Sequence, residues 1–545
     1  MRPCYSLARS RLQSIPCARR TALVSSPCLA HRNMSSNDYS EWTNEKLVAR
    51  AKGKRAFDPT KYTTRFIALK FAYLGQRYNG YEHHANNATP LPTIEEELWK
   101  ALVKTKLIFK TSEDVADLNW DECEYSKCGR TDKGVSAFGQ VVGLRVRSNR
   151  PKPRGDAAVV STSDAEEVQE AKEFDSVIDE LSYPRILNRV LPEDIRVLAW
   201  CPSLPPDFSA RFSCRERRYR YFFTQPAFTP LPGAGGVMQR NTGATERDGW
   251  LDIDAMRDAA SRYLGTHDFR NLSKLDPARQ INNFERHIRR ADIVEITPED
   301  KVALGFLKHE AAASVNLPEA HQEPKVYYFA VHGSAFLWHQ VRHMVAILFM
   351  VGQGFENPSI VSDLLDVEKN PTKPFYEMAD DAPLVLWDCV FPDPEGPPDV
   401  DVMEWIYPDG QEEARDRKQA FSSAGDGRHG PGGINEVLWA GWRRKKIDEI
   451  LARSLLDVVA SQKSAPERDE TTSEDFGNPA SPHTGRLPHS ARLFDGGNAP
   501  RLQGAYVPLM KRRRMESPEV SNARWLERKT AEGKVPLHAD KSRVS

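Results

Sequence analysis

The sequence predicts an α+β protein in which two consecutive units each mix strands with helices. Runs rich in β-branched and aromatic residues predict strands at 65–73, 140–146, 195–200, 219–223, 286–296, 327–331 and 384–391. Helical patterns alternate with these strands, and a Pro/Gly-rich bridge at 230–236 separates the two units. This alternation, interrupted once, is what favours two mixed units over a single sandwich or helical bundle.

Three helices are predicted within the two units. Thr93 precedes Ile94 and three glutamates, which is typical of an N-cap followed by an acidic first turn. A second helix is predicted over 252–263, with Gly265 at its C-terminal end. Residues 339–351 are strongly apolar and predict a buried third helix that ends at Gly352.

The chain divides into five predicted segments. The core comprises an N-terminal half and a C-terminal half, each carrying a polar insertion, at 149–175 and 298–324 respectively. Apolar residues near a 3.6-residue period predict an amphipathic helix at 434–459, which also carries the basic run 443–446. Beyond it, low hydrophobicity predicts a mostly disordered tail, apart from 506–515. The segments are 1–61, an N-terminal extension; 62–225, the first half; 226–392, the second half; 393–460, the appended segment; and 461–545, the tail.

Composition excludes several classes of protein. Formal net charge is zero, so a surface that binds a polyanion has to come from local clusters of cations. No pair among the eight cysteines has C-x-x-C spacing, which disfavours zinc knuckles and thioredoxin-type sites and indicates ordinary thiols in a reducing compartment. No apolar run approaches the roughly 20 residues that span a bilayer, so we expect no membrane partner.

The first 37 residues are rich in arginine and contain no acidic residue before Asp38. This composition is typical of a mitochondrial transit peptide. It also fits an unstructured extension, or sequence upstream of a start at Met34. We therefore expect a protein of the cytoplasm and nucleus, with a mitochondrial pool if the segment is a transit peptide.

The most informative stretch is K-C-G-R-T-D-K-G-V-S-A-F-G-Q-V, which runs from Lys127 to Val141. On residue chemistry alone it is a glycine-rich turn in which Asp132 caps the backbone. The alternative is that the glycines bring the backbone close to a ligand while Arg130 and Lys133 attract a phosphate. Asp132 would then be an ionised carboxylate available as a nucleophile.

This stretch resembles the active-site motif of the TruA-type tRNA pseudouridine synthases, in the form found in the eukaryotic branch that modifies tRNA positions 38 and 39. Lys133 and Ser136 stand where bacterial relatives typically have Ala and His. Three further motifs resemble the family and occur in its order across residues 62–392: F-A-Y-L-G with Y-N-G-Y at 71–81, F-S-A-R-F-S with R-R-Y-R-Y at 208–221, and F-L-W-H-Q-V-R at 336–342.

The resemblance implies a pseudouridine synthase fold, in which two related halves form a central, largely antiparallel sheet with flanking helices and a basic cleft. It implies that Asp132 attacks the target nucleotide so that the uracil detaches, rotates and rejoins through carbon, whether the attack is on the sugar or on the base. It also implies that Tyr219 stacks on the flipped uracil and assists proton removal. By the same resemblance Arg342 pairs with the catalytic carboxylate, and Arg130 helps to hold the base out of its stack.

Five arginines lie within ten residues and alternate with aromatic residues in the second motif: Arg211, Arg215, Arg217, Arg218 and Arg220. This pattern suits phosphate contacts with stacking, and we take Arg211, Arg217 and Arg218 as RNA-binding candidates with Lys133. The alternative is a solvated strand face. The cluster 511–514 is a nuclear localisation signal, a further RNA contact or a solvated charge run.

The resemblance implies no metal and no organic cofactor, a tRNA anticodon stem-loop as substrate, and a homodimer. Two rival interpretations stay open. A relative that modifies other uridines generally lacks the Cys-Gly that precedes Arg130 here. A catalytically silent tRNA-binding protein would use the same basic cleft, which the intact Asp132, Tyr219 and Arg342 disfavour.

Overall fold

A computed structural model describes residues 57–84, 89–109, 118–152, 173–229, 237–239, 245–247, 249–297, 324–393, 395–408, 433–460 and 491–533. The elements below belong to the compact unit Thr60–Ser545. The predicted N-terminal extension, the Pro/Gly-rich bridge and most of both insertions lie outside the described residues.

A nine-stranded sheet runs through the unit in the order β4-β1-β3-β11-β5-β10-β9-β8, with β2 paired to β3. Its pairs are antiparallel except for β3 with β11, where Val385 lies opposite Ser136 and Leu386 opposite Ala137. The predicted α+β class with a largely antiparallel sheet is confirmed. The strands are β1 (Thr63–Tyr73), β2 (Ser126–Lys127), β3 (Ser136–Ser148), β4 (Ile195–Cys201), β5 (Glu216–Gln225), β6 (Val237–Gln239), β7 (Thr245–Arg247), β8 (Gly265–Asp268), β9 (Glu285–Glu295), β10 (Lys325–Gly333), β11 (Leu384–Val390), β12 (Ala491–Leu493) and β13 (Arg501–Gln503).

Seven α-helices accompany the strands in the described part of the chain: α1 (Ile94–Lys104), α2 (Tyr183–Asn188), α3 (Ile253–Ser261), α4 (Gln340–Gly352), α5 (Ile360–Leu365), α6 (Ile434–Ala460) and α7 (Pro518–Ala531). The predicted N-cap of α1 is confirmed, because the Thr93 hydroxyl accepts from Glu96 N and the Glu96 carboxylate accepts from Thr93 N. Every residue of α4 is buried, as the apolar run 344–351 predicts for most of its length.

Two hydrophobic clusters lie along the sheet. One gathers β1, β3 and β4 with α1, around side chains such as Phe71 and Trp200. The other surrounds α4 and includes Tyr263 and Phe329. Tyr219, on β5, packs against both clusters. The middle of the sheet is therefore where the two halves of the core meet, and Asp132 lies at this junction, four residues before β3.

The edge of the sheet at β4 is covered by the start of the appended segment. Trp200 and Ile406 exchange backbone hydrogen bonds of 3.1 and 2.7 Å, and Met403 is buried nearby in the first cluster. Covering an edge strand in this way satisfies its backbone groups and blocks pairing with another chain.

The prediction of disorder is wrong for residues 491–505 and 516–533, which flank the segment 506–515 that was predicted to be an exception. Leu493, Phe494 and Leu509 are buried in the cluster around α4, and Phe375 N donates to Arg513 O at 2.8 Å. These apolar residues are isolated in a polar sequence, so average hydrophobicity hides them. Their burial depends on a groove that distant segments form.

Helix α6 spans the predicted amphipathic segment and confirms that it is helical. Its apolar residues are exposed, including Trp442 (50%), Leu451 (64%) and Leu455 (66%). Among the described residues, no helix combines the length and apolarity that crossing a bilayer requires.

Candidate active site

The loop between β2 and β3 holds Asp132 in a fixed position. Tyr81 N donates to Thr131 O at 3.0 Å, and Val135 N donates to Asp132 O at 3.2 Å. The Thr131 hydroxyl, which is buried, lies 2.7 Å from the Tyr73 hydroxyl. Flanking backbone and side-chain bonds thus set the direction of the Asp132 side chain, which is 28% exposed.

Two glycines allow this loop to form. Gly134 has a φ of +81°, and Gly80, in the facing turn, has a φ of +88°. A Cβ on Gly80 would lie 3.0 Å from Thr131 O and 3.1 Å from Lys133 N. The glycines therefore serve close backbone packing, as the glycine-rich sequence suggests.

Each carboxylate oxygen of Asp132 faces a different aromatic side chain. Trp338 Nε1 donates to Oδ1 at 3.3 Å, and His339 Nε2 lies 3.4 Å from Oδ2. His339 precedes α4 with a left-handed φ of +59°, a conformation that a non-glycine side chain adopts at an energetic cost. Among the described atoms, His339 Nδ1 is buried with no hydrogen-bond partner.

Neither of these two contacts follows from the sequence patterns. An isolated histidine such as His339 is usually structural, and a tryptophan such as Trp338 is usually a largely buried packing residue. Their place in the F-L-W-H run, directly before an apolar helix, is the sequence feature that could have indicated them.

Arg342 does not pair with Asp132 as predicted. Its Nη2 lies 3.6 Å from Asp381 Oδ2, and its Nε donates to Ala379 O at 2.7 Å. Arg342 lies within α4, so its side chain reaches the 379–381 loop, while the preceding residues reach Asp132. Burial raises the pKa of Asp381, while Arg342 and Lys133 oppose that rise.

Tyr219 lies beside Asp132 on β5, with its ring edge-on to Phe336 at a centroid distance of 5.1 Å. Burial, followed by the nearby Cys389, raises the pKa of the Tyr219 hydroxyl above its usual range. A phenol held protonated can stack and donate a hydrogen bond, but the predicted assistance in proton removal would require the disfavoured phenolate.

Several cations lie near this carboxylate. Lys133 and Arg211 are exposed, and Arg130 Nε pairs with Glu82 Oε1 at 3.1 Å. Partial burial of the Arg211 guanidinium lowers its pKa, and the neighbouring cations Arg130, Arg217 and Arg279 lower it further. The structure thus groups arginines that are far apart in the sequence.

Two further cations, Lys274 and Arg279, were missed by the sequence analysis. Lys274 Nζ lies 4.4 Å from the centre of the Trp338 ring, and Arg279 Cζ lies 5.9 Å from it. The indole that contacts Asp132 is therefore also in contact with positive charge.

Arg217 and Arg218 are separated by the alternation of β5. Arg217 lies on the side of Tyr219, where it donates to backbone carbonyl oxygens such as Ser334 O at 2.7 Å. Arg218 points to the opposite face, where it pairs with the buried Glu216 at 2.7 Å. Arg218 therefore lies on the face of β5 opposite to Tyr219, and its predicted contact with RNA stays a prediction.

Comparison with known proteins identifies the family. The family described as tRNA pseudouridine synthase matches residues 259–392. The chain is 42% identical over 377 residues to the tRNA pseudouridine(38/39) synthase of Bos taurus, covering 69% of this chain and 64% of that protein. It is 40% identical over 368 residues to the protein of the same name in Saccharomyces cerevisiae, covering 67% of this chain and 65% of that protein.

A Caenorhabditis elegans protein named "Probable tRNA pseudouridine synthase tag-124" is 33% identical over 345 residues, covering 62% of this chain and 70% of that protein. The chain spans slightly less than two thirds of the Bos taurus and Saccharomyces cerevisiae proteins. The aligned length and the matched domain show that this chain belongs to the TruA-type tRNA pseudouridine synthase family.

Proposed function

We propose that the protein isomerises uridine to pseudouridine in the anticodon stem-loop of tRNA, at positions 38 and 39, with Asp132 as the nucleophile. The observation that carries this proposal is the setting of Asp132. Its carboxylate is held on a rigid loop, contacted by Trp338 and His339 and surrounded by exposed cations. The names of the Bos taurus and Saccharomyces cerevisiae relatives support the tRNA positions.

The chemistry fits a site of this kind. A carboxylate that attacks the nucleotide allows the bond between uracil N1 and ribose C1′ to break. The uracil then turns, C5 bonds to C1′, the bond to the carboxylate breaks, the C5 proton leaves and N1 takes up a proton. The product has the same composition as the substrate, so the reaction itself consumes no co-substrate.

Access to a paired or stacked base requires base flipping, which costs a few kcal/mol. Stacking of a base on an aromatic ring returns about 1–3 kcal/mol. Tyr219 is half-buried beside Asp132 and supplies such a ring. Arg130, Arg211 and Lys133 would contact the phosphates that flank the flipped nucleotide.

The test is pseudouridine mapping in tRNA incubated with purified wild-type protein or with Asp132→Asn. We expect modification at positions 38 and 39, and a rate lower by at least about 10³-fold in the variant. Asp254→Asn, at an exposed carboxylate in the first turn of α3, is the control and should leave the rate unchanged.

Other outcomes separate the rival functions. Modification at different uridines would keep the reaction and reject the proposed positions. Tight tRNA binding without modification by the wild-type protein would favour a catalytically silent binding protein. An Asp132→Asn variant with full activity would reject Asp132 as the nucleophile.

A homodimer and the cellular compartments are also proposals. Resemblance to the family supports the dimer, which sedimentation at several protein concentrations would test. The arginine-rich, acid-free first 37 residues support a mitochondrial pool beside the cytoplasm and nucleus. Imaging of tagged proteins that start at Met1 or at Met34 would test this distribution, since only the longer protein should enter mitochondria.

A further inference from the structure

Three buried cysteines from distant parts of the chain meet beside the active site. Cys128 begins the loop that carries Asp132, Cys214 lies two residues before the start of β5, and Cys389 lies in β11. Their sulfur atoms all lie within 4.8 Å of one another, and the residues are 3%, 5% and 0% exposed. We call this group the thiol cluster.

The spacing of the sulfur atoms suits a metal ion. A zinc–sulfur bond of about 2.3 Å places tetrahedral sulfur ligands about 3.8 Å apart, which is inside the limit observed here. Sulfur ligands select thiophilic ions such as Zn²⁺ over Mg²⁺ or Ca²⁺. The carbonyl oxygen of Glu216 lies 3.3 Å from Cys214 Sγ and accepts its hydrogen bond. It is an oxygen atom close to the cluster that could also bind a metal ion.

The charge next to the cluster supports a divalent ion. The Arg217 guanidinium donates to the carbonyl oxygens of Cys128 at 3.0 Å and Cys214 at 3.3 Å. Its other acceptors are also backbone carbonyls, and in the described chain no carboxylate forms an ion pair with it. Three thiolates, one divalent cation and one guanidinium sum to zero charge, so such a site leaves no unbalanced charge in the core.

The alternative is a group of three protonated thiols that pack as small apolar side chains. That arrangement leaves the half-buried Arg217 cation with neutral carbonyl oxygens as its only partners among the described residues. A cation that is partly withdrawn from water is stabilised better by an opposite charge than by dipoles alone. This difference favours the metal-binding interpretation.

We propose that Cys128, Cys214 and Cys389 form a tris-thiolate site for a thiophilic divalent metal ion, Zn²⁺ in the cell. The ion would tie the loop that carries Asp132 to β5 and β11. The role of the ion is to hold this loop in position, because Cys128 lies four residues before Asp132. The proposal does not depend on the proposed function.

The first experiment measures metal content by mass spectrometry in the full chain, purified without chelators from zinc-supplemented cells. We expect about one zinc ion per chain in the wild type and less than about a tenth of that in Cys214→Ser and Cys389→Ser. Cys201→Ser is the control, because Cys201 is a buried free cysteine outside the cluster, and it should retain the full zinc content.

A second measurement does not depend on the folding of the variants. Cd²⁺ added to chelator-treated wild-type protein should produce the ultraviolet charge-transfer absorption of cadmium–thiolate bonds, saturating at about one ion per chain. Equal zinc content in all variants, or no zinc and no cadmium absorption in folded wild type, would overturn the proposal. Copper(I) bound in place of a divalent ion, or a disulfide within the cluster, would also overturn the proposal.

Discussion

At the scale of single residues, the position of the Asp132 carboxylate depends on its two aromatic neighbours. Trp338 donates to one oxygen and His339 lies against the other, so both act on the reaction through Asp132. A charged carboxylate gains about 1.5–3 kcal/mol from such a hydrogen bond. We regard both as positioning residues.

The first prediction concerns these neighbours. His339→Ala should lower kcat by about 10²-fold with little change in KM, because a carboxylate displaced by about 1 Å loses its attack geometry. Trp338→Phe should lower kcat by about tenfold, because it removes the N–H and keeps a ring. Single-turnover kinetics on a tRNA substrate would measure both.

His339→Gln is the conservative variant, since its side-chain amide can still donate to the carboxylate, and it should recover part of the rate. A purely structural role for His339 would instead lower the stability of His339→Ala and leave kcat per folded molecule unchanged. Denaturant titration beside the kinetics separates these two results.

The second prediction concerns Gly134. Its φ of +81° is unfavourable for alanine, and a Cβ there would meet the carboxylate of Asp381, with Cγ at 2.8 Å. Gly134→Ala should therefore lower the free energy of unfolding by about 1–3 kcal/mol and reduce activity. Gly504→Ala, where a Cβ meets no atom within 4 Å, should change stability by less than about 0.5 kcal/mol. Equal effects at both positions would contradict this account.

At the scale of secondary-structure elements, the segment before β11 places the half-buried amino group of Lys373 against α4. Lys373 Nζ lies 3.0 Å from Nε2 of His343 and donates to Ser273 O at 2.8 Å. Burial, and then the charge of Lys274, lowers the pKa of Lys373 to about 7. Burial also keeps the pKa of His343 well below its usual range, so the imidazole is neutral and accepts.

The third prediction follows from this pKa. In the unfolded chain Lys373 has a pKa of about 10.4, so between about pH 7 and pH 10 the unfolded state holds more protons than the folded state. The contribution of Lys373 to the free energy of unfolding should therefore rise with pH across this window, and it is lost as pH falls towards 7. Lys373→Met should flatten this dependence, as measured by urea titrations across the range.

The matched control is Lys369→Met, because Lys369 is exposed and pairs with Asp366 at the surface. It should leave the pH dependence of unfolding as in the wild type. A difference in stability between the wild type and Lys373→Met that stays constant between pH 7 and 10 would show that Lys373 is charged in the folded protein.

Some strands and helices could be predicted because their sequence patterns are local. Strands such as β1 and β10 alternate or concentrate β-branched and aromatic residues, and α1 has its cap and acidic turn within a few residues. Patterns of this kind depend on neighbours in sequence, so these elements lie within a few residues of their predicted bounds. The contacts of Asp132 depend on Trp338 and His339, about two hundred residues away in sequence, and no local pattern contains them.

At the scale of the whole molecule, the segment 491–533 covers the second half of the core. The ring of Phe494 packs against Phe349 of α4 at 4.8 Å, and Tyr506 donates to Glu356 at 2.6 Å. Asp380, next to the partner of Arg342, donates its backbone N–H to Asp495 O at 2.8 Å. The tail therefore supports the loop that lies beside the active site.

The fourth prediction tests this support. Leu509→Ala, at a fully buried residue, should lower the free energy of unfolding by about 2–5 kcal/mol. Leu502→Ala, at a side chain that is 71% exposed, should change it by less than about 0.5 kcal/mol. Chemical denaturation of both variants is the measurement, and similar small effects would show that the tail does not pack as described.

The α+β class, most strands and helices, and the loop of Asp132 could be predicted from the sequence, because each depends on propensity, period or a contiguous motif. The folded structure was needed to show that Arg342 pairs with Asp381, that Arg218 faces away from Tyr219, and that part of the tail is packed. It was also needed to show that three scattered cysteines meet. These are contacts between residues far apart in the chain, and their geometry is set by strand order and side-chain direction, which one-dimensional patterns do not contain.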